Sequence, residues 1–246
     1  MTATPAWPPK SLPRLFVATP LGEGVPVALD ARQANYLGNV MRLSIGGEVL
    51  LFDGASGEWL GRVAEVGKKK MLLIVERQTR VTETVPDLVL AFAPVKRAPL
   101  EWLVEKATEL GVARLQPVIT RRTVVERVKD ERLRAITIEA TEQCGRTLLP
   151  EIAEPVALAK LLVERDPDRM LYFADENGGD SIAKAFVPGP AMILTGPEGG
   201  FTEEERAAIR AAPDVRPISL GPRILRAETA ALAAVAVWMA LAGDWR

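Results

Sequence analysis

With 246 residues, 48% hydrophobic and 26% charged, the chain has the balance of an ordinary globular protein, and its length suits one large domain or two small ones whose cores need no metal or disulfide. It has no histidine and a single cysteine, Cys144, which excludes an intrachain disulfide and any histidine base and leaves a zinc site without its usual ligands. The net charge of −1 is unevenly spread: residues 1–80 carry 10 Lys+Arg against 7 Asp+Glu and residues 81–246 carry 21 against 25, so any nucleic-acid contact rests on local patches.

The opening MTATPAWPPK does not read as a signal peptide, because Pro5, Pro8 and Pro9 interrupt it before any apolar core forms. Residues 12 to about 80 read as β-rich. Short apolar or alternating runs lie at Arg14–Ala18, Glu48–Phe52, Trp59–Val63 and Met71–Val75, separated by turn signals at Gly46-Gly47, Asp53-Gly54, Ser56-Gly57 and Gly67. One helical stretch, Ala31–Arg42, interrupts them, and the set predicts a small barrel. Residues 81–86 (VTETVP) read as a linker.

Beyond it, strands and helices alternate. Asp87–Ala93 is a strand. Pro99–Leu110 is a helix with proline at its start, Leu100, Leu103, Val104, Ala107 and Leu110 on one face, and Gly111 at its end. Leu115–Ile119 is a strand, Asp130–Gly145 a helix, and a further helix covers about 155–164. Met170–Ala174 and Ala191–Thr195 are continuous apolar runs, the form of buried parallel strands. Thr202 with Glu205 three residues on is a capping box opening the next helix. Pro217–Leu220 is a strand and a final helix starts near Arg226. Its apolar run Ala227–Ala242 carries Glu228 and reads as a buried alanine-rich helix rather than a membrane span. The alternation implies an α/β domain with a parallel sheet covered on both faces, and the chain reads as soluble and cytoplasmic.

Two loops carry the chemistry. Leu194-Thr195-Gly196-Pro197-Glu198-Gly199-Gly200-Phe201 leaves a buried strand and enters a capped helix. Ligands in open α/β sheets bind beyond such strand ends, and the three glycines allow a close backbone approach. An ordinary strand–helix turn would carry glycines too, and neither G-x-G-x-x-G nor a P-loop occurs, which weakens dinucleotide and nucleoside triphosphate readings. The second loop runs from Ile218 through Leu220-Gly221-Pro222-Arg223-Ile224-Leu225-Arg226-Ala227 to Thr229 and Ala230. Leu220, Ile224 and Leu225 are placed to sandwich an aromatic ring, and free backbone groups to read an adenine edge. A solvated Arg–Glu pair capping a helix is the plainer alternative for Arg226 and Glu228.

These two loops resemble the signature loops of the 16S ribosomal RNA (uracil-N3)-methyltransferase family, of the SPOUT class. Ala93-Pro94-Val95-Lys96, the run Trp102 to Val112, Glu142-Gln143-Cys144-Gly145-Arg146, Arg14-Leu15-Phe16-Val17 and Asp53-Gly54 agree with it in order. Asn35 and Tyr36 stand where the family often has histidine.

The resemblance implies a PUA-like β-barrel for RNA binding over 1–80, then a SPOUT methyltransferase domain over 81–246 with a C-terminal trefoil knot. It implies S-adenosylmethionine (AdoMet) bound by Thr195, Gly196, Pro197, Glu198, Gly199 and Gly200 in the first loop, and by Ile218, Leu220, Gly221, Ile224, Leu225, Arg226, Ala227 and Thr229 in the second. The substrate would be N3 of a decoding-region uridine in 16S rRNA or the assembled small subunit, methylated by a homodimer without metal. Arg226 is the first choice for stabilising the uracil or positioning AdoMet, and Glu198 for a base or a cofactor hydrogen bond. Candidate RNA contacts are Arg14, Lys68, Lys69, Lys70, Arg121, Arg122, Gln143 and Arg146. The lysine run reads equally as a solvated turn, and Arg146 as a partner for the last carbonyls of a helix that Gly145 ends. Trp102 belongs to core or dimer surface.

Overall fold

The computed structural model describes residues 12–68, 70–124 and 130–245. Lys69 therefore lies outside the described residues. The chain divides into two compact units, one reaching to Glu83 and taking in Gly145–Leu148, the other formed by Thr84–Cys144 and the remainder from Leu149.

The first unit is a five-stranded sheet. Its strands are β1 (Arg14–Phe16), β2 (Pro26–Leu29), β3 (Glu48–Phe52), β4 (Glu58–Val66) and β5 (Met71–Arg80), in the order β1-β3-β4-β5-β2. β1 runs parallel to β3, and the other pairings are antiparallel. Among the described residues no ladder pairing joins β1 to β2, the two ends of this strand order. The sequence reading missed β2, which is four residues long and opens on a proline that suits only an edge. The expected helix 31–42 is α1 (Ala31–Asn35), held by an Asp30–Gln33 capping box, followed by a π-helical turn over Tyr36–Val40. Leu37 in that turn is wholly buried against a core of Leu15, Val49, Leu51, Leu73 and Val75.

A buried ionic cluster ties the ends of this unit together. Glu58, 4% exposed, accepts from Arg14 Nε at 2.7 Å and from Arg80 Nη2 at 2.7 Å. Burial alone would raise the Glu58 carboxyl, but the hydrogen bonds from Arg80 and Arg14 outweigh it and hold it below the usual glutamate range. The same arginines donate to the carbonyls of Arg146 and Gly145, both at 2.8 Å. Glu83 accepts from the amides of Thr147 and Leu148 at 2.9 Å. These bonds explain why Gly145–Leu148 clusters with the first unit.

The second unit is built on β6 (Leu88–Phe92), α2 (Arg97–Glu109), β7 (Arg114–Ile119), α3 (Asp130–Cys144), β8 (Glu151–Ile152), β9 (Val156–Ala157) and α4 (Leu158–Glu164). It continues through β10 (Met170–Ala174), β11 (Asp180–Ser181), α5 (Ile182–Ala185), β12 (Ala191–Thr195), α6 (Glu203–Ala211), β13 (Val215–Ser219) and α7 (Ala227–Leu241). The sheet order is β11-β13-β10-β12-β6-β7-β8, with β9 also pairing β7, and every pairing is parallel. Alternate strand residues serve opposite faces, as the two-residue period of a strand requires. Leu88, Leu90, Phe92, Tyr172 and Ile193 pack with α2, α3 and α7, whereas Val89, Ala91, Leu171, Phe173, Met192 and Leu194 pack with α4 and α6. Trp238 of α7 is 1% exposed, so this alanine-rich helix is core, as expected. The two-residue strands β8, β9 and β11 were not legible, being too short for any period.

Among the described residues no helix is long and apolar enough to cross a membrane, and no group of three or more His, Cys, Asp or Glu side chains is placed to hold a metal ion.

Candidate functional site

β10, β12 and β13 end side by side. Phe173 lies opposite Leu194 and Ala174 opposite Ile218, so the connections leaving the three strands emerge together. From β12 the chain passes through α6 to β13 on the far side of β10, so the connection crosses the end of β10. A cavity of about 540 Å³ opens there, within the range of small-molecule sites.

Its first wall is the loop after β12. Thr195, Gly196, Pro197, Glu198, Gly200 and Phe201 line it. Gly196 lies against the Phe201 ring: a Cβ there would stand 2.8 Å from Phe201 Cε2. The ring cannot retreat, being 4% exposed and packed edge-to-face on Phe173 with centroids 5.2 Å apart. Gly200 has φ +66°, a conformation that favours glycine, and a Cβ there would stand 2.8 Å from Glu176 Oε1, whose half-exposed side chain can give way. The Gly200 amide donates to the Pro197 carbonyl at 2.9 Å and closes the turn. The expected Thr202–Glu205 capping box then starts α6. Gly199 does not line the cavity; its carbonyl accepts from Arg122 Nη1 at 2.6 Å. Glu198 is exposed at the rim, and its Oε1 accepts from the Lys96 amide at 3.5 Å.

The second wall is the loop after β13. Ile218, Leu220, Gly221, Ile224, Leu225, Arg226 and Ala227 line the cavity, with Ser219, Pro222, Arg223 and Ala230, while Thr229 does not. Arg226 is the N-cap residue of α7, and its carbonyl accepts from the Ala230 amide at 2.8 Å. The Arg226 and Glu228 side chains do not pair, so the plain Arg–Glu cap is not what the loop builds. Arg223 and Arg226 are exposed, and among the described residues neither guanidinium has a hydrogen-bond or ion-pair partner. Ile224 is 92% exposed, an apolar side chain standing at the mouth of the cavity.

The sequence reading missed the third wall, the end of β10. Ala174, Asp175 and Glu176 line the cavity together with Arg206 of α6. The Asp175 side chain is wholly buried and accepts from Arg206 Nη1 and, at 2.9 and 2.6 Å, from Arg210 Nε and Nη2. Arg206 Nη2 donates to Glu176 Oε1 at 3.0 Å. The signal was present: an acidic pair and then Gly178-Gly179 follow a buried apolar strand, the same pattern that drew attention to the loop after β12.

The proposed RNA contacts separate into three groups. Arg14 and Arg146 belong to the interior of the first unit, which corrects their reading as surface contacts. The Arg14 side chain is 11% exposed, pairs with Glu58 and stacks over Phe52 at 4.7 Å; that of Arg146 is 7% exposed and approaches Glu83 at 3.5 Å. Gln143 is exposed and lines a cleft between α2 and α3 with Glu101, Glu105, Glu109, Glu139 and Arg132, where Lys106 and Arg97 pair with the first three carboxylates. Lys68, Lys70, Arg121 and Arg122 are exposed, the last two in the turn after β7.

The chain matches the family model of an RNA methyltransferase domain over residues 82–239 and that of an RNA methyltransferase PUA domain over 29–76. It is 33% identical over 228 residues to the ribosomal RNA small subunit methyltransferase E of Rickettsia conorii, covering 91% of this chain and 93% of that protein. It is 34% identical over 240 residues to the same-named protein of Synechocystis, covering 91% and 76%. Among solved structures it is similar to the ribosomal RNA small subunit methyltransferase E of Neisseria gonorrhoeae bound to S-adenosyl methionine, with TM-score 0.88, 29% identity and coverage of 96% and 100%. The breadth of these matches, joined to the two-loop cavity, places the chain in the RNA methyltransferase family that includes the ribosomal RNA small subunit methyltransferase E proteins.

Proposed function

We propose that the protein transfers a methyl group from AdoMet to N3 of a uridine in 16S rRNA of the small ribosomal subunit. The observation that carries this reading is the cavity itself, framed by the very loops on which the family resemblance rests. The residues fit the cofactor. Leu220 and Leu225 offer apolar side chains, Gly196 and Gly200 give backbone approach, and the volume suits a ligand of that size. Of the residues expected to hold it, Gly199 and Thr229 lie outside the cavity lining.

AdoMet supplies an electrophilic methyl on a sulfonium cation, so the protein need not activate the donor with metal. Its task is to bring uracil N3 in line and to favour loss of the N3 proton, which leaves negative charge on the ring. Arg226 and Arg223, unpaired at the rim, are the groups placed to meet that charge. Glu198, exposed on the opposite loop, can take the proton directly or through water. N3 lies on the pairing edge, so the uridine enters extruded, and Arg121 and Arg122 are candidates to hold the surrounding phosphates.

The same reading includes a trefoil knot in the loops around the cavity, RNA binding by the N-terminal PUA domain, and a cytoplasmic homodimer in which a second copy covers Ile224 and Trp102, the latter 46% exposed. The test is methylation of small subunits purified from a strain lacking the gene, with labelled AdoMet and mass mapping of the 16S rRNA. A single methyl on a decoding-region uridine is expected; label in another RNA, or none, refutes the proposal.

A further inference from the structure

The turn that follows β7 is bonded to the loop that follows β12, although among the described residues three helices (α3, α4 and α5) and four strands (β8 to β11) lie between β7 and β12 in the chain. Two hydrogen bonds join them, beside an exposed ion pair of Arg121 with Glu204 at 3.9 Å. Arg122 Nη1 donates to the carbonyl of Gly199 at 2.6 Å. The amide of Arg121 donates to Glu205 Oε1 at 2.7 Å, while the other oxygen of the same carboxylate caps α6 through the Thr202 amide at 3.0 Å. The turn carrying the two arginines is itself closed by Thr120 and Thr123: the Thr120 amide donates to Thr123 Oγ1, and the two hydroxyls lie 2.9 Å apart. A turn closed by its own hydrogen bonds therefore grips the glycine loop at its crest and at its exit into α6.

The grip falls where the loop is least able to hold itself. Between Pro197 and Thr202 the only internal backbone bond is that from the Gly200 amide to the Pro197 carbonyl. Gly199 and Gly200 are the two residues with the widest conformational choice, and Gly200 sits at φ +66°. Without an external anchor, this stretch would sample many arrangements, and any ligand would have to meet the cost of ordering it. The Arg122 stem also lies along the loop, with its Cδ 3.4 Å from where a Gly199 Cβ would be.

We propose that Arg122 is a positioning residue for the cofactor loop. Its guanidinium fixes the Gly199 carbonyl, and through it the path of Gly196–Phe201, in the form that binds the methyl donor. This assigns Arg122 a role in AdoMet binding in addition to, and separable from, any contact with RNA. The use of the loop to bind AdoMet rests on the function proposed above; the grip on the loop does not.

Two measurements on the full-length protein, both without RNA, separate the parts. Hydrogen exchange of the ligand-free protein reports the loop itself. In Arg122→Ala the amides from Gly199 to Phe201 are expected to exchange about tenfold faster, as for loss of one charge-assisted hydrogen bond. Calorimetric titration with AdoMet reports the consequence, an affinity weaker by about tenfold with the thermal midpoint unchanged within about 2 °C, since Arg122 is exposed. Arg122→Met, which keeps the stem and removes the donors, gives the same comparison if the alanine variant does not fold. Wild-type exchange rates in these variants overturn the proposal, as does wild-type AdoMet affinity in a variant whose loop has loosened. Faster exchange in a protein whose wild-type form takes up no AdoMet would leave the grip standing and refute the proposed function instead.

Discussion

The ion cluster under the cavity makes a sharp test of how the second unit is held together. In Asp175→Ala a wholly buried carboxylate disappears and two guanidiniums lose their shared partner. They do not lose equally. The Arg210 side chain is 42% exposed and rehydrates, so its loss is small. The Arg206 side chain is 8% exposed, its Nε lacks a hydrogen-bond acceptor, and Glu176 at 3.0 Å and the exposed Glu203 at 3.9 Å remain to balance it. Removing one partner of a buried pair costs about 3–5 kcal/mol, and with Glu176 and Glu203 still in place the lower end applies, about 3 kcal/mol. For a unit of this size each 1 kcal/mol moves the thermal midpoint by about 2–4 °C, so calorimetry should show a fall of roughly 6–12 °C. The double variant Asp175→Ala/Arg206→Met removes the stranded charge as well and should recover most of that fall. A fall below about 2 °C in the single variant, or a double variant no better than the single, would refute the reasoning.

Three further expectations concern the loops and the surface. Gly196→Val drives its side chain into the fixed Phe201 ring, so it should abolish AdoMet binding by displacing the loop and cost about 1–3 kcal/mol of stability; wild-type affinity by titration would contradict this. Arg226→Ala removes an exposed group without partners, so the thermal midpoint should hold within about 2 °C while methyl transfer at saturating AdoMet and RNA falls by about tenfold or more; retained turnover would remove Arg226 from the chemistry. On the α2 surface, hydrogen bonds from Arg132 and then Arg97 lower Glu101 from an ordinary 4.5 to about 2. Because the folded value is depressed, the stabilisation is present above about pH 4.5 and is lost as the pH falls towards 2. Carboxyl NMR titration should therefore find Glu101 moved back up towards 4.5 in Arg132→Ala, and a titration left near 2 would show that the pair is not its cause.

Local chemistry made much of this protein readable from its sequence alone. Continuous apolar runs at Met170–Ala174 and Ala191–Thr195 announce strands buried on both faces, and Thr202 with Glu205 announces a helix start, because burial and capping act over a few neighbouring residues. The two loops announced themselves by glycine and proline, residues whose backbone preferences are intrinsic. Tertiary structure decided what depends on residues meeting across the chain. It placed Asp175 and Glu176 beneath the loops through Arg206, 31 and 30 residues away, and turned Arg14 inward to Glu58 and to the Arg146 carbonyl, 132 residues on. A charged side chain looks the same in sequence whether it faces solvent or a buried counter-charge, and only the folded chain supplies the partner that settles which.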